Sequence, residues 1–252
     1  MPQVAAAGHF VRVMSRRPLA PFGDSRITSI VGDLATGVGL SEAVANIDAI
    51  IHAASDPLNA RAVDVDGTRR LTEAARASGV GHLVYVSIVG VDRIPYAYYQ
   101  RKRDTERVVA ESSVPYSILR ATQFHAFIAF LLNLASRAPL ILPIPSGFHV
   151  QSVATEEVAT RLCGALVDGP RGLLRDFGGP EIMPLENATL LWTQHRPGGF
   201  AKWILPIYLP GRTPAAFRAG YNTAPDGDRG TITWRDWLAR VLPSRFGTTA
   251  SR

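Results

Sequence analysis

A tyrosine and a lysine four residues apart, in the run Tyr98-Tyr99-Gln100-Arg101-Lys102, have the side chains for proton chemistry. At that spacing they share one face of a helix. An ammonium beside a phenol favours the phenolate, which makes a tyrosine a better proton donor or acceptor near neutral pH. Lysine is scarce here: Lys102 and Lys202 are the only two, and every other permanently basic side chain is arginine. A Tyr-x-x-x-Lys spacing is common by chance, so the elements that must position the pair decide what it means.

Those elements alternate. Phe10 to Met14, Ile27 to Val31, Ala49 to Ala54, His82 to Ser87 and Tyr116 to Arg120 read as short apolar strands. Helical patterns fall between them at Leu40 to Asn46, Val63 to Ser78 and Tyr96 to Glu111. Strands alternating with helices predict a parallel sheet with covering helices, a Rossmann-type doubly wound α/β fold. From about Pro139 proline and glycine become dense; Thr155 to Val167 and Thr233 to Val241 read as helices there. The expected organisation is a nucleotide-binding domain over 1–138, with a small substrate-side lobe over 139–252 packed on it.

In open α/β sheets ligands bind at the carboxyl ends of the strands, so the residues just after each strand carry the argument. Ser15-Arg16-Arg17 follows the strand that would face an adenine ribose. Arginine there accommodates the 2′-phosphate of NADP, whereas an acidic residue suits the 2′-hydroxyl of NAD. Gly32-Asp33 ends the next strand, and Asp33 either accepts from an adenine amino group or closes a turn. Ala53-Ala54-Ser55 offers small side chains that let a cofactor approach closely. His52 reads as a packed strand-end histidine. Ser87 ends the strand before Tyr98 and Lys102, and Lys102 also has the reach to hold a nicotinamide ribose.

Four runs, taken in order, carry a resemblance: Val65-Asp-Gly-Thr-Arg-Arg-Leu71, Val84-Tyr-Val-Ser-Ile-Val-Gly90, Tyr98-Tyr-Gln-Arg-Lys102 and Arg120-Ala-Thr-Gln-Phe-His125. They resemble the atypical short-chain dehydrogenase/reductases, in particular the NmrA-like NAD(P)H-binding proteins. The resemblance implies a Rossmann fold, NADP(H) more often than NAD(H), and reduction of small or quinone-like substrates. It implies that Arg16 and Arg17 meet the 2′-phosphate, Asp33 the adenine, and Ala53, Ala54 and Ser55 the cofactor. Ser87 would lie near the nicotinamide, Lys102 on its ribose, Thr122, Gln123 and Phe124 beside the nicotinamide, and Tyr98 would donate the proton.

One departure stands out. Such a domain opens with a strand and a G-x-G-x-x-G turn that seats the pyrophosphate on a helix N-terminus. No such spacing of glycines occurs in this chain. Met1 to Gly8 reads as the end of a first helix, so roughly 20 residues of strand, turn and helix would be absent. A gap or an exposed edge in the sheet is then expected. A start codon assigned too far downstream and a truly shortened gene both remain as explanations.

Composition narrows the rest. With 46% hydrophobic and 19% charged residues the chain is of ordinary globular make-up. Its single cysteine, Cys163, excludes an internal disulfide and suits a cytoplasmic location, and no Cys/His cluster has metal-ligand spacing. The net charge of +6 is spread over scattered arginines, so nucleic-acid binding is not expected. The apolar stretch from Phe124 to Leu134 stops short of the ~18 to 20 residues of a membrane span and reads as a buried helix, so no membrane partner is expected. Three functions stay open: an NADP(H)-dependent oxidoreductase acting on a small carbonyl or quinone-type substrate, a non-catalytic NADP(H) sensor, and an inactive fragment. Helices at the sheet edges leave a homodimer open as well.

Overall fold

The computed structural model describes residues 2–196 and 202–241. In chain order the elements begin α1 (Pro2–Ala6), β1 (Val11–Ser15), β2 (Ile27–Val31), α2 (Leu40–Val44) and β3 (Ala49–His52). A π-helical turn (Arg61–Asp66) runs into α3 (Gly67–Ala77), followed by β4 (His82–Ile88), α4 (Ala97–Glu111), β5 (Tyr116–Ala121) and α5 (His125–Ala135). Then come β6 (Ile141–Pro145), β7 (His149–Val150), α6 (Thr155–Asp168), β8 (Gly172–Leu173), β9 (Phe177–Gly178) and β10 (Met183–Pro184). The last are α7 (Leu185–Gln194), β11 (Trp203–Ile207), α8 (Arg212–Arg218), β12 (Asp228–Arg229) and α9 (Trp234–Val241). The mostly parallel strands with flanking helices make a Rossmann-like α/β fold.

Two compact units interleave along the chain. The first takes Met1–Ser87, Tyr96–Arg120 and Ala159–Leu174. In it β3 pairs with β4 in parallel, Ala49 opposite His82 through His52 opposite Tyr85, and β5 pairs with β8. The inward side chains of β4 and β5 (Leu83, Tyr85, Ile118) meet Leu71 and Ala75 of α3 and Val109 of α4. Gly67 opens α3 because a Cβ there would lie 2.9 Å from Leu34 Cβ and 3.0 Å from the Leu34 carbonyl. The strands β1 and β2 form a separate parallel pair, Val11 opposite Ile27, and among the described residues no hydrogen-bonded ladder joins it to β3. Arg12 ties the pair to α2 by donating to the carbonyls of Glu42, Ala43 and Ala45, a cation at the negative end of the helix.

The second unit takes Ile88–Pro95, Ala121–Val158 and Arg175–Arg252. Here β9 pairs with Ala121 at the end of β5 and with β12, β6 pairs with β11 in parallel, and β7 pairs with β10 antiparallel. The core is built on two fully buried tryptophans, Trp192 of α7 and Trp234 of α9, packed with Leu142 and Ile144 of β6 and Leu132 of α5. Gly179 has no room for a side chain, since a Cβ would fall 1.8 Å from the Ser152 carbonyl.

The buried helix expected from Phe124 to Leu134 forms, but it is buried on one side only. Ile128, Ala129 and Leu132 enter the core, while Phe127, Phe130, Leu131 and Leu134 face outward.

Candidate functional site

The sequence puts a carboxylate on an apolar stripe. Asp64 falls in register with Thr68, Leu71, Thr72 and Ala75, the buried side of the helix that continues as α3. It belongs to the π-helical turn, a local widening of the helix that recurs at functional sites. Asp64 is fully buried, where an unpaired carboxylate would be prohibitively costly. It is therefore surrounded by donors. Ser55 Oγ donates to Asp64 Oδ1 at 2.5 Å, the Asp56 backbone N–H donates to Oδ2 at 3.0 Å, and Lys102 Nζ lies 3.8 Å from Oδ1.

This arrangement fixes the direction of the next hydrogen bond. Ser55 has one proton, and it goes to the carboxylate. The 2.7 Å contact between Ser55 Oγ and Tyr98 Oη is thus a bond donated by the tyrosine. Tyr98, Ser55 and Asp64 form a directed wire with Lys102 at its far end.

Lys102 reaches this place along α4. Its Nζ donates to the Val86 carbonyl of β4 at 3.1 Å and lies over the Tyr85 ring, 4.4 Å from the centroid. Burial lowers its pKa to about 8, against the opposing pull of Asp64 and Glu106. The expectation that Lys102 would favour a Tyr98 phenolate does not hold. Burial raises the Tyr98 pKa, the hydrogen bond with Ser55 opposes the rise, and the Asp64 charge adds to it. Burial above all keeps Tyr98 protonated, while the ammonium faces Tyr85 and Asp64.

The other strand-end residues fall as follows. Ala53, Ala54 and Ser55 follow β3 on the surface. Ser87 near the end of β4 is 3% exposed, and its Oγ has no hydrogen-bond partner among the described residues. Ser15 Oγ accepts from the Arg17 backbone N–H at 3.4 Å, and both Arg16 and Arg17 are exposed at the end of β1. Asp56 has its pKa lowered chiefly by the Asn59 side chain, with Arg16 close enough to contribute. Asp33 closes a turn, Oδ1 accepting from the Ala35 N–H at 2.8 Å. His52 is the packed strand-end histidine its position implied: its Nε2 meets Thr68 Oγ1 at 2.8 Å, and burial lowers its pKa to about 3.

In the second unit, Thr122 donates to the Gln151 carbonyl, and Gln123 Nε2 donates to the Asn222 carbonyl at 2.8 Å. Phe124 is half-buried and caps α5. The Thr122 and Gln123 side chains hold backbone where they stand.

The groups at the carboxyl ends of β1, β3 and β4 fit a nicotinamide dinucleotide. The unpartnered Ser87 hydroxyl and the Lys102 ammonium suit polar atoms of the nicotinamide ribose, and the Arg16–Arg17 pair suits a phosphate. No described turn carries the glycine spacing that seats a pyrophosphate.

A parallel sheet with an ionisable cluster at its strand ends defines a nucleotide-binding protein of the Rossmann class. Residues 1–129 match the NAD(P)H-binding family, and the chain belongs to it. It is 27% identical over 192 residues to the (4-alkanoyl-5-oxo-2,5-dihydrofuran-3-yl)methyl phosphate reductase of Streptomyces griseus, covering 71% of this chain and 63% of that protein. It spans 40% and 36% of the length of two further curated relatives. The ceramide reductase of Caulobacter vibrioides is 28% identical over 97% of this chain and 84% of its own length. Among solved structures, the NADPH-bound quinone oxidoreductase QOR2 of Escherichia coli superposes with a TM-score of 0.75 at 15% identity, covering 95% of this chain and 94% of that one.

Sequence reasoning had Ser55, Ser87, Tyr98 and Lys102 and missed Asp64. The signal was present as a carboxylate in phase with Thr68, Leu71 and Ala75.

Proposed function

We propose that this protein is an NADP(H)-dependent oxidoreductase that reduces a small carbonyl or quinone-type substrate. The observation that carries the reading is the directed wire from Tyr98 through Ser55 to Asp64, with Lys102 beside it, at the carboxyl ends of β3 and β4. The bound cofactor supplies hydride. This chain supplies the proton and its replacement. Tyr98, held protonated, releases its proton when its hydroxyl turns from Ser55 to a substrate oxygen. Ser55 then passes its proton to the tyrosine oxyanion and is reprotonated through Asp64 from Lys102, whose pKa of about 8 lets it give up a proton near neutral pH. Until then Asp64 holds the ammonium in place.

The choice of NADP(H) over NAD(H) rests on half-buried Ser15 and exposed Arg16 and Arg17 at the end of β1, a run without an acidic residue. The relatives support reduction as the reaction, since two of them are named reductases and a structural neighbour is an NADPH-dependent quinone oxidoreductase.

The test is NADPH consumption with a benzoquinone or a small aldehyde, followed by the loss of reduced-nicotinamide absorbance. Tyr98→Phe and Lys102→Ala should each lower kcat by ~100- to 10,000-fold while the protein still melts cooperatively. Arg16→Ala with Arg17→Ala should weaken NADPH binding by about tenfold or more and leave NADH binding little changed. Turnover that survives Tyr98→Phe sinks the proton-donor role. Tight NADPH binding with no turnover on any acceptor points instead to a sensor.

A further inference from the structure

Helix α5 carries no charged residue from His125 to Ala135. A helix apolar on every side belongs inside a core or against lipid. Half of this one is neither covered by the described residues nor polar. Phe127, Phe130, Leu131 and Leu134, at the i, i+3, i+4, i+7 positions of one stripe, are between 42% and 59% exposed. At its C-terminal end Lys202 Nζ donates to the carbonyls of Ser136 and Ala138, and the Trp203 N–H donates to the Leu140 carbonyl. Those bonds bring Leu140 and Trp203, 78% and 82% exposed, to the end of the stripe. Leu205 and Ile207 follow on the Trp203 side of β11, both exposed.

The segments that carry these elements bear charge of one sign, and Glu156 and Glu157 of α6 act on His125 at the opposite, N-terminal end of α5. Residues 121–155 and 187–225, which contain them, hold no aspartate or glutamate. Their charged residues are Arg137, Arg196, Lys202, Arg212 and Arg218, five positive charges in a chain whose net charge is +6. Three of the five gather at α5: Arg137 just past its end, Lys202 on its last carbonyls, and Arg196 hydrogen-bonded to Asn133.

We propose that this face rests on an anionic phospholipid surface. The Phe and Leu side chains of α5, with Leu140 and Trp203, enter the acyl boundary, and Arg137, Arg196 and Lys202 meet headgroup phosphates. Among the described residues no helix is long and apolar enough to cross a membrane, so α5 lies in the interface plane. The expectation of no membrane partner rested on the lack of a span, which does not bear on a helix lying flat. A second copy is disfavoured because a two-fold pairing of this face would set like charges against one another. A nucleic acid would use the cations but leave the leucines unpartnered.

The test is co-sedimentation of the full chain with vesicles of phosphatidylcholine alone and with about one third phosphatidylglycerol. Partitioning onto the anionic vesicles should exceed that onto the neutral ones by at least ~tenfold and fall in ~0.5 M salt. Phe130→Glu with Leu134→Glu should remove at least ~tenfold of the binding, and Arg137→Glu at least ~fivefold, with the melting temperature kept. These positions are exposed and none of them is a residue of the candidate site, so NADPH consumption without lipid should not change. Equal sedimentation of wild type and the double variant, or none at millimolar anionic lipid, overturns the proposal. So does a dimer by light scattering that the double variant dissolves while vesicles capture neither form, which would assign the face to a second copy.

Discussion

The two units differ in what most of their polar side chains bind. In the second unit most serve the backbone, although His125 Nδ1 also meets Ser152 Oγ at 2.9 Å. Gln151 is fully buried; its Nε2 donates to the Gly179 carbonyl at 2.9 Å, and its Oε1 accepts from the Ala224 N–H at 2.7 Å. Asn222 Nδ2 donates to the His149 carbonyl, and His125 Nε2 lies 3.2 Å from the Ile232 carbonyl. Short strands and proline-rich loops leave many peptide groups without a ladder, and these side chains complete them. In the first unit the polar side chains at the strand ends bind one another: Tyr98 to Ser55, Ser55 to the buried Asp64, Lys102 beside Asp64, with the buried Ser87 hydroxyl left over. A side chain that completes a peptide is occupied. One that binds another side chain can exchange protons with it, so the comparison separates scaffold from chemistry.

That contrast can be broken most severely at Gln151. Gln151→Leu strands the Gly179 carbonyl and the Ala224 N–H, a loss of about 2–5 kcal/mol in denaturant unfolding. Turnover per folded molecule should stay near wild type; a stable but inactive protein would show that the second unit's polar groups are not merely scaffold. Asp64→Asn is the complementary test. Asp64 raises the Lys102 pKa against burial, so its removal should carry that pKa further below about 8. Activity that needs the ammonium then declines at lower pH than in wild type, and pH–rate profiles of the two proteins read the difference directly. Superposable alkaline limbs would leave Asp64 a structural group.

The smallest effect concerns acid stability. Burial lowers the pKa values of His52 (to about 3), His82 and His125. The unfolded chain takes up protons on these residues near pH ~6.5, and the folded chain does so only at lower pH. Stability is therefore full above about pH 6.5 and falls as pH drops, with a slope of at most ~1.4 kcal/mol per pH unit for each histidine. Melting temperatures between about pH 7 and 5 should decline, and His52→Asn should flatten the decline. A melting temperature independent of pH over that interval contradicts the assignment of neutral buried histidines.

Much of the first unit was legible because its strands are apolar runs punctuated by small or polar residues. Ile27 to Val31 matches β2 residue for residue, the strand-end rule pointed to Ser55 and Ser87, and helical spacing to Tyr98 pointed to Lys102. Asp64 escaped because its sequence neighbours, Asp66 among them, look like an ordinary solvated helix start. Only the widened turn and the phase with Leu71 turn it inward. The electrostatics of Tyr98 were misjudged for a related reason. Helical spacing places Lys102 on its face but does not reveal that Tyr85 and Asp64 hold the ammonium. The exposure of α5 was illegible because hydropathy records how apolar a segment is and not how much neighbouring chain exists to cover it.

The separate pairing of β1 with β2 has a consequence in time. Among the described residues this two-stranded parallel ribbon shares no amide ladder with β3, so its peptide groups can open without disturbing β3, β4 and β5. Amide hydrogens from Val11 to Ser15 and Ile27 to Val31 would then exchange as one low-energy group, ahead of those in β4. The ribbon ends in Arg16 and Arg17, so a phosphate gripping those guanidinium groups would slow the whole group together, converting ligand occupancy into local rigidity.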